Sequence, residues 1–280
     1  MASAHVAGTT AQRPDTDGTA GSHGRARDWA EIQERMLVPL YQAVYERLEV
    51  GPATSVLSLG CRSGLALLLA EERGAQVSGQ EPEAELRELA EGRGLRVLSE
   101  SAGGGRGTGR LTRSAYGIPR AAHSLVTVFE QLPYVRDPAA LVAEAAGLTL
   151  QGGHLVLASW GPAERCESAG ALDVARRLSV RSRAYAPFAL GGPGGLEQLL
   201  SGAGLRPAGS GRVNCPFAYP DPESAVRGML STGLFDSAVE DSGPTLVRKE
   251  LEEALHPYVR PDGSVRMVNL FRYVVAEQPH

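Results

Sequence analysis

The fold class that this sequence predicts is α/β, doubly wound, with a mostly parallel sheet covered by helices on both faces. Three observations carry that expectation. Short apolar runs such as 55-SVLSL-59 and 125-LVTVF-129 alternate with stretches of helical period. The runs are nearly continuously apolar, as strands buried on both faces are. The first run ends in a glycine turn, 60-GCRSG-64, that leads directly into helix-forming residues.

Taken in chain order, residues 1–27 are rich in Gly, Ala, Ser and Thr without an apolar period, so they are expected to form a flexible tail. His5 and His23 stand isolated in it and make no metal site. A single domain is expected over 28–280. Asp28 with Glu31 has the form of a capping box, and Trp29, Ile32, Met36, Leu40, Val44 and Leu48 then recur every three or four residues, predicting an amphipathic helix. The strand at 55–59 follows Gly51-Pro52, and the Leu65 to Ala70 stretch is its helix. A second strand is read at Gln76–Gly79, a Glu-rich helix over 83–93, and a buried strand at Leu125–Phe129. Asp137 with Pro138 opens the next helix, and Gly152-Gly153 precedes the strand His154–Trp160. A helix over 195–203 ends at Gly204, a weak strand lies near 206–213, and Asp221-Pro222 opens a helix at 222–232. A further helix over 244–258 precedes an alternating strand, Val265–Val275. The segments 161–192 and 214–262 are expected to be insertions at the carboxyl edge of the sheet, where a substrate lid is built.

Composition sets outer limits on function. The 280 residues, 42% apolar, suffice to bury a full core. A net charge of −4 lacks the basic excess that a phosphate backbone demands, so nucleic acid is not an expected partner. No run of about 18 apolar residues and no signal-like start is present, so no membrane association is expected and a cytoplasmic location is. Cys61, Cys166 and Cys215 are odd in number and widely spaced, which favours reduced thiols over a disulfide framework or a zinc site. The run 102-AGGGRGTG-109 lacks the Gly-Lys-Ser/Thr of a phosphate loop and reads as a surface loop.

In a doubly wound sheet the ligand sits above the carboxyl ends of the first strands. Gly60 and Gly64 allow a tight turn there, and Glu81, at the end of the second strand, can accept both hydroxyls of a ribose. That combination points to an adenosine-type cofactor. The stretches 56-VLSLGCRSG-64, 77-VSGQEP-82, 125-LVTVFEQLPYVRDPAALVAEA-145 and 152-GGHLVLASWG-161 resemble the class I S-adenosylmethionine-dependent methyltransferases of the small-molecule, ubiquinone-methylase-like type. The resemblance runs from about Trp29 to Trp160. It implies a Rossmann-like sheet of seven strands with the last one antiparallel, and S-adenosylmethionine as cofactor. It also implies that Gly60, Cys61 and Gly64 lie along the methionine part, that Glu81 holds the ribose, and that Glu130 and Gln131 line the site near the methyl group. Tyr134 then stands where many relatives have a histidine, and Trp29 and Tyr41 resemble residues that close over the cofactor.

The departures from that pattern are specific. Ser58 replaces an acid that orders the loop, and Arg62 replaces its middle glycine. Ser114, in 113-RSAYGIP-119, replaces the acid that reads adenine, and Ser124 the one that opens the fourth strand. Each acid-to-serine exchange forfeits roughly 1–2 kcal/mol of charge-assisted hydrogen bonding, and two together weaken binding about a hundredfold.

Methyl transfer needs in-line approach, exclusion of water and sometimes a base, and no metal. Glu130 and Tyr134 are the catalytic candidates by position, while His123 and His154 are isolated. Trp160, Tyr185, Phe188, Phe217 and Tyr219 are expected to wall a pocket for a bulky organic molecule, and a homodimer is a possible assembly. The leading expectation is a natural-product methyltransferase. The alternative is an enzyme of the same fold that closes a ring by dehydrative or pericyclic chemistry, its cofactor absent or structural. The third is a non-catalytic binding protein.

Overall fold

The computed structural model describes residues 24–99, 121–180 and 187–279. Ser114, Tyr185, the glycine run 102–109 and the tail up to residue 23 lie outside the described residues.

The chain forms one seven-stranded sheet from β1 (Ser55–Leu59), β2 (Gln76–Gln80), β3 (Val97–Leu98), β4 (His123–Val128), β5 (Thr149–Trp160), β6 (Arg206–Tyr219) and β7 (Val265–Glu277). Their order is β3-β2-β1-β4-β5-β7-β6. The first five strands pair in parallel, and β7 runs antiparallel to both β5 and β6. The doubly wound class and the antiparallel last strand are as predicted. Order reverses beside β1, so a crevice opens between the carboxyl ends of β1 and β4.

Each central strand feeds two cores. Val56 and Val156 point into one, with the leading helix and the helices after β6. Leu57, Leu59, Val126, Val128 and Leu157 point into the other, against the helices Pro138–Leu148 and Gly195–Gly202. This two-sided burial is what removes the polar alternation from the strand sequences. Two predicted helix starts are capped as expected: Asp137 accepts from Ala140 N–H at 3.0 Å and Asp221 from Ser224 N–H at 2.7 Å.

The start of the domain differs from the sequence expectation. Helix begins at residue 24, so Asp28 lies inside it, makes no cap and pairs with Arg227 instead. Residues 24–27 are therefore helix rather than tail. The helix passes through a π turn at Trp29–Gln33 and a tighter 3-10 turn at Glu34–Leu37 before the α segment Val38–Arg47. That change of pitch shifts the inward face, leaving Ile32 half-buried and burying Gln33 and Glu34.

The predicted insertion from 214 also starts too early. Residues 214–219 complete β6, which pairs with β7 along its length, and the helices Pro222–Ser231, Asp236–Ser242 and Pro244–Leu255 follow. β3, only two residues long, carries no periodicity from which it could be read.

Candidate functional site

The turn after β1 is built from three left-handed residues, Gly60 (φ 67°), Arg62 (φ 53°) and Gly64 (φ 89°). Backbone N–H groups of Gly60 and Cys61 donate to the Gln80 carbonyl at 2.8 and 3.0 Å, which ties the turn to the end of β2. Glu81 reinforces it: one carboxylate oxygen accepts from Arg62 N–H at 2.8 Å and the other from Glu83 N–H at 3.0 Å. A non-glycine residue at positive φ is strained by about 1 kcal/mol or more, and these bonds hold Arg62 there.

The Arg62 side chain then crosses the crevice. Its Nη2 donates to the Thr232 carbonyl at 2.8 Å, and the guanidinium carbon lies 4.6 Å from the ring centre of Trp29 and 4.4 Å from that of Tyr134. Glu83 approaches Nη1 at 3.7 Å, and Glu130 approaches Nε at 4.0 Å. Tyr134 donates to the same Thr232 carbonyl at 2.7 Å. The arginine is thus buried between two aromatic faces and two carboxylates, and links the β1 turn to the helices that follow β6.

Glu130 follows β4. Tyr41, on the leading helix, donates its hydroxyl to Glu130 Oε1. Burial pushes the Glu130 carboxyl up to about 7, against the opposing pull of Arg62 and of the Tyr41 hydrogen bond. Burial also raises the Tyr41 phenol well above its ordinary range, and the Glu130 charge adds to this.

A second polar cluster supports the turn from below. Arg93 grips Glu34 with both nitrogens, at 2.6 and 3.0 Å, and also donates to the Ser63 carbonyl at 2.8 Å. The Ser63 hydroxyl donates to Glu34 as well. Arg93, Glu34 and Thr232 were not legible as site residues in the sequence, because the π turn that brings Glu34 inward leaves no mark in the apolar spacing.

Beside Arg62 and Glu130 lies a narrow cavity of about 40 Å³, whose walls include Trp29, Phe129, Glu130, Trp160, Phe217 and Phe271. Trp160 packs on Phe271 at 4.5 Å, Phe217 at 5.6 Å and Phe188 at 5.7 Å between ring centres. Phe188 stands on the far side, lining a separate hollow of about 320 Å³ with Leu172 and Pro187. Tyr219 does not face the cavity as expected; its buried hydroxyl donates to Gln33 at 2.8 Å, one layer behind.

No protein-family model and no curated protein matches the chain. Solved structures do match. The YcgJ protein from Bacillus subtilis superposes with a TM-score of 0.53 at 14% identity, covering 86% of this chain and 98% of its own. A candidate methyltransferase from Bacillus halodurans C-125 gives 0.54 at 15%, with 86% and 99% covered. The 4+2 cyclase SpnF gives 0.50 at 15%, with 86% and 80% covered. The chain has the class I methyltransferase fold.

In a class I methyltransferase fold the resemblance places S-adenosylmethionine along the β1 turn, and the side chains here do not fit it. The open face of Gly60 is covered by Gln131: a Cβ at Gly60 would stand 2.1 Å from Gln131 Oε1. Arg62 fills the crevice between that turn and Glu130. Each oxygen of Glu81, expected on the ribose, accepts one backbone N–H and keeps a second lone pair, so this acid alone does not decide the fit. Gly64 makes its close approach to Leu95 rather than to a ligand, since a Cβ there would meet Leu95 Cδ1 at 2.2 Å. Cys61 is buried against Gly79, and Ser58 is buried in β1. Ser124 lies at the opposite end of the sheet, where it and Ser55 exchange two backbone-to-hydroxyl hydrogen bonds of 2.9 Å between β4 and β1.

Among the described residues no group of three or more His, Cys, Asp or Glu side chains could hold a metal ion, and no helix is long and apolar enough to cross a membrane. Cys61, Cys166 and Cys215 are buried free thiols.

Proposed function

We propose that this chain is an enzyme of the methyltransferase fold that does not transfer methyl groups, and that it instead promotes a ring closure or related rearrangement of a bulky organic molecule. The observation that carries this proposal is Arg62, a permanent cation fixed between Trp29 and Tyr134 in the cofactor crevice. A sulfonium brought to about 4 Å of the guanidinium meets a pair repulsion of about 4 kcal/mol at an effective dielectric of 20, which the Glu83 and Glu130 carboxylates beside Arg62 offset in part. That cost stands on top of the displacement of Gln131 from Gly60.

The remaining groups suit a reaction run by shape and electrostatics. The aromatic walls around Trp160 can hold an apolar body in one folded conformation and keep water away from it, which lowers the entropic part of a ring-closing barrier. Arg62 can stabilise a developing negative charge, and Glu130 can take or return a proton near neutral pH. A cavity of about 40 Å³ is too small for a bulky substrate, so entry requires the leading helix and the helices after β6 to part. SpnF supports the reading by precedent, as a cyclase on a similar fold.

The retained turn of Gly60, Gly64 and Glu81 favours a second reading, methyl transfer with Arg62 and Gln131 swung outward. Calorimetric titration of S-adenosylmethionine and S-adenosylhomocysteine separates the two. The expected outcome is no binding by the natural sequence and measurable binding once Arg62→Gly and Gln131→Ala are combined. Micromolar binding by the natural sequence would overturn the proposal and restore methyl transfer.

A further inference from the structure

Buried polar atoms in folded proteins nearly always have a hydrogen-bond partner, so a cluster of unpartnered ones on a single cavity calls for an explanation. Three such atoms meet at this cavity among the described residues: Trp29 Nε1, Arg62 Nε and Glu130 Oε2. Trp29 and Glu130 line the cavity, and Arg62 stacks against Trp29. Arg62 Nε and Glu130 Oε2 are 4.0 Å apart, too far to bond each other directly. One oxygen placed about 2.8 Å from both closes that gap, accepting from the arginine and donating to the carboxylate.

We infer that the substrate is an uncharged molecule with an apolar, ring-sized body and a hydroxyl or enol group seated between Arg62 and Glu130. The inference deepens the non-methylating reading and rests on it. A carboxylate in this position would oppose Glu130, and an ammonium or sulfonium would oppose Arg62. The seated hydroxyl is also the group to be activated. Its O–H bond breaks, the proton passes to Glu130 Oε2, and the electron pair stays on the oxygen as an oxyanion beside the guanidinium. Trp29 Nε1 offers one more donor to an acceptor oxygen of the same molecule, which favours an enol or phenol carrying a neighbouring carbonyl.

The chain's two tryptophans, Trp29 and Trp160, both line the cavity, so intrinsic fluorescence reports its occupancy. Phenol, anisole and benzoate are the probes, titrated into the full chain with excitation above the phenol absorption. Phenol is expected to bind at least about tenfold more tightly than anisole, which keeps the ring and loses the donor. Benzoate is expected to bind more weakly than phenol. The phenol affinity should fall several-fold as pH drops below about 7, where Glu130 takes up a proton, and should lose this dependence in Glu130→Gln. The charged and titratable groups facing Glu130 are Tyr41 and Glu34 from the leading helix, Arg62 and Cys61 from the β1 turn, Glu81 after β2, and Tyr134. Because the pH series uses the unmodified protein, it stands even if the variant folds poorly. Equal binding of phenol and anisole, tighter binding of benzoate, or no phenol binding in the tens of millimolar would overturn the inference. Each of these outcomes is distinct from S-adenosylhomocysteine binding, which would overturn the underlying reading.

Discussion

Arg62 and Glu130 show how much one crevice depends on individual charges. Arg62 faces Glu130, Glu81 and Glu83; its removal takes the compensating cation from Glu130 and Glu81, while Glu83 keeps Arg25 at 2.6 Å. Breaking a buried ion pair from one side costs about 3–5 kcal/mol, so Arg62→Leu is expected to lower the unfolding free energy from urea titration by that amount and the midpoint with it. An unchanged midpoint would mean that the guanidinium is solvated rather than buried. Glu130 makes a prediction of opposite character. Its folded pKa of about 7 lies above the ordinary 4.5, so the folded state holds the proton more tightly than the unfolded chain. Stability from this group is therefore fully present below about pH 4.5, declines as pH rises toward 7, and is flat above, a total of about 3 kcal/mol. Glu130→Gln should remove that part of the slope when unfolding free energies are measured between pH 4.5 and 8. At this scale the sequence identified Gly60, Arg62 and Glu130 as residues of interest, but not what they touch. An arginine in place of a glycine can point to solvent or inward, and its spacing in the chain is the same either way.

Elements were legible where their signals are local. The aspartates before Pro138 and Pro222 cap their helices as read, because a cap is a contact between residues three apart. Asp221→Ala is accordingly expected to cost about 1 kcal/mol and to speed amide hydrogen exchange in Pro222–Ser231 while leaving β1 and β4 protected. Uniform acceleration across the sheet would contradict a local role. The leading helix was legible only in outline. Its capping box was false: helix already precedes Asp28, whose carboxylate is held by Arg227 some two hundred residues away. The π turn at Trp29–Gln33 changes which residues face inward, and it lets Trp29 cover Arg62 while Glu34 reaches Ser63 and Arg93. No periodic pattern encodes such a bulge, since the extra residue per turn is selected by what the helix packs on. β6 was read short at its end, 214–219, where Asn214 and Pro216 interrupt the apolar pattern although Cys215, Phe217 and Tyr219 alternate inward.

At the scale of the molecule, two ionic clasps close the crevice. Arg25 joins Glu83 at 2.6 Å to Asp236 at 3.2 Å, and Asp28 pairs with Arg227. Both connect the leading helix with the helices after β6, and both are partly exposed, so salt weakens them. Asp28→Asn, or about 0.5 M sodium chloride, is expected to increase acrylamide quenching of Trp29 and Trp160 a few-fold, as each weakened clasp shifts opening by roughly 0.5–1 kcal/mol. No change in quenching would mean that apolar contacts alone keep the crevice shut.

The sequence by itself determined the sheet: strands buried on both faces must be continuously apolar, and glycines at the β1 turn must permit positive φ. These are constraints that act within a few residues, and they left a record in the chain from which the methyltransferase fold could be read. The tertiary structure alone decided what occupies the crevice. The inward course of Arg62 depends on Trp29, Thr232 and Glu130, and the cover of Gly60 on Gln131, all contributed by segments far apart in sequence. Whether a charge faces a cofactor or replaces one is set by the groups that solvate it once water has been excluded, and those groups are brought together only by the fold.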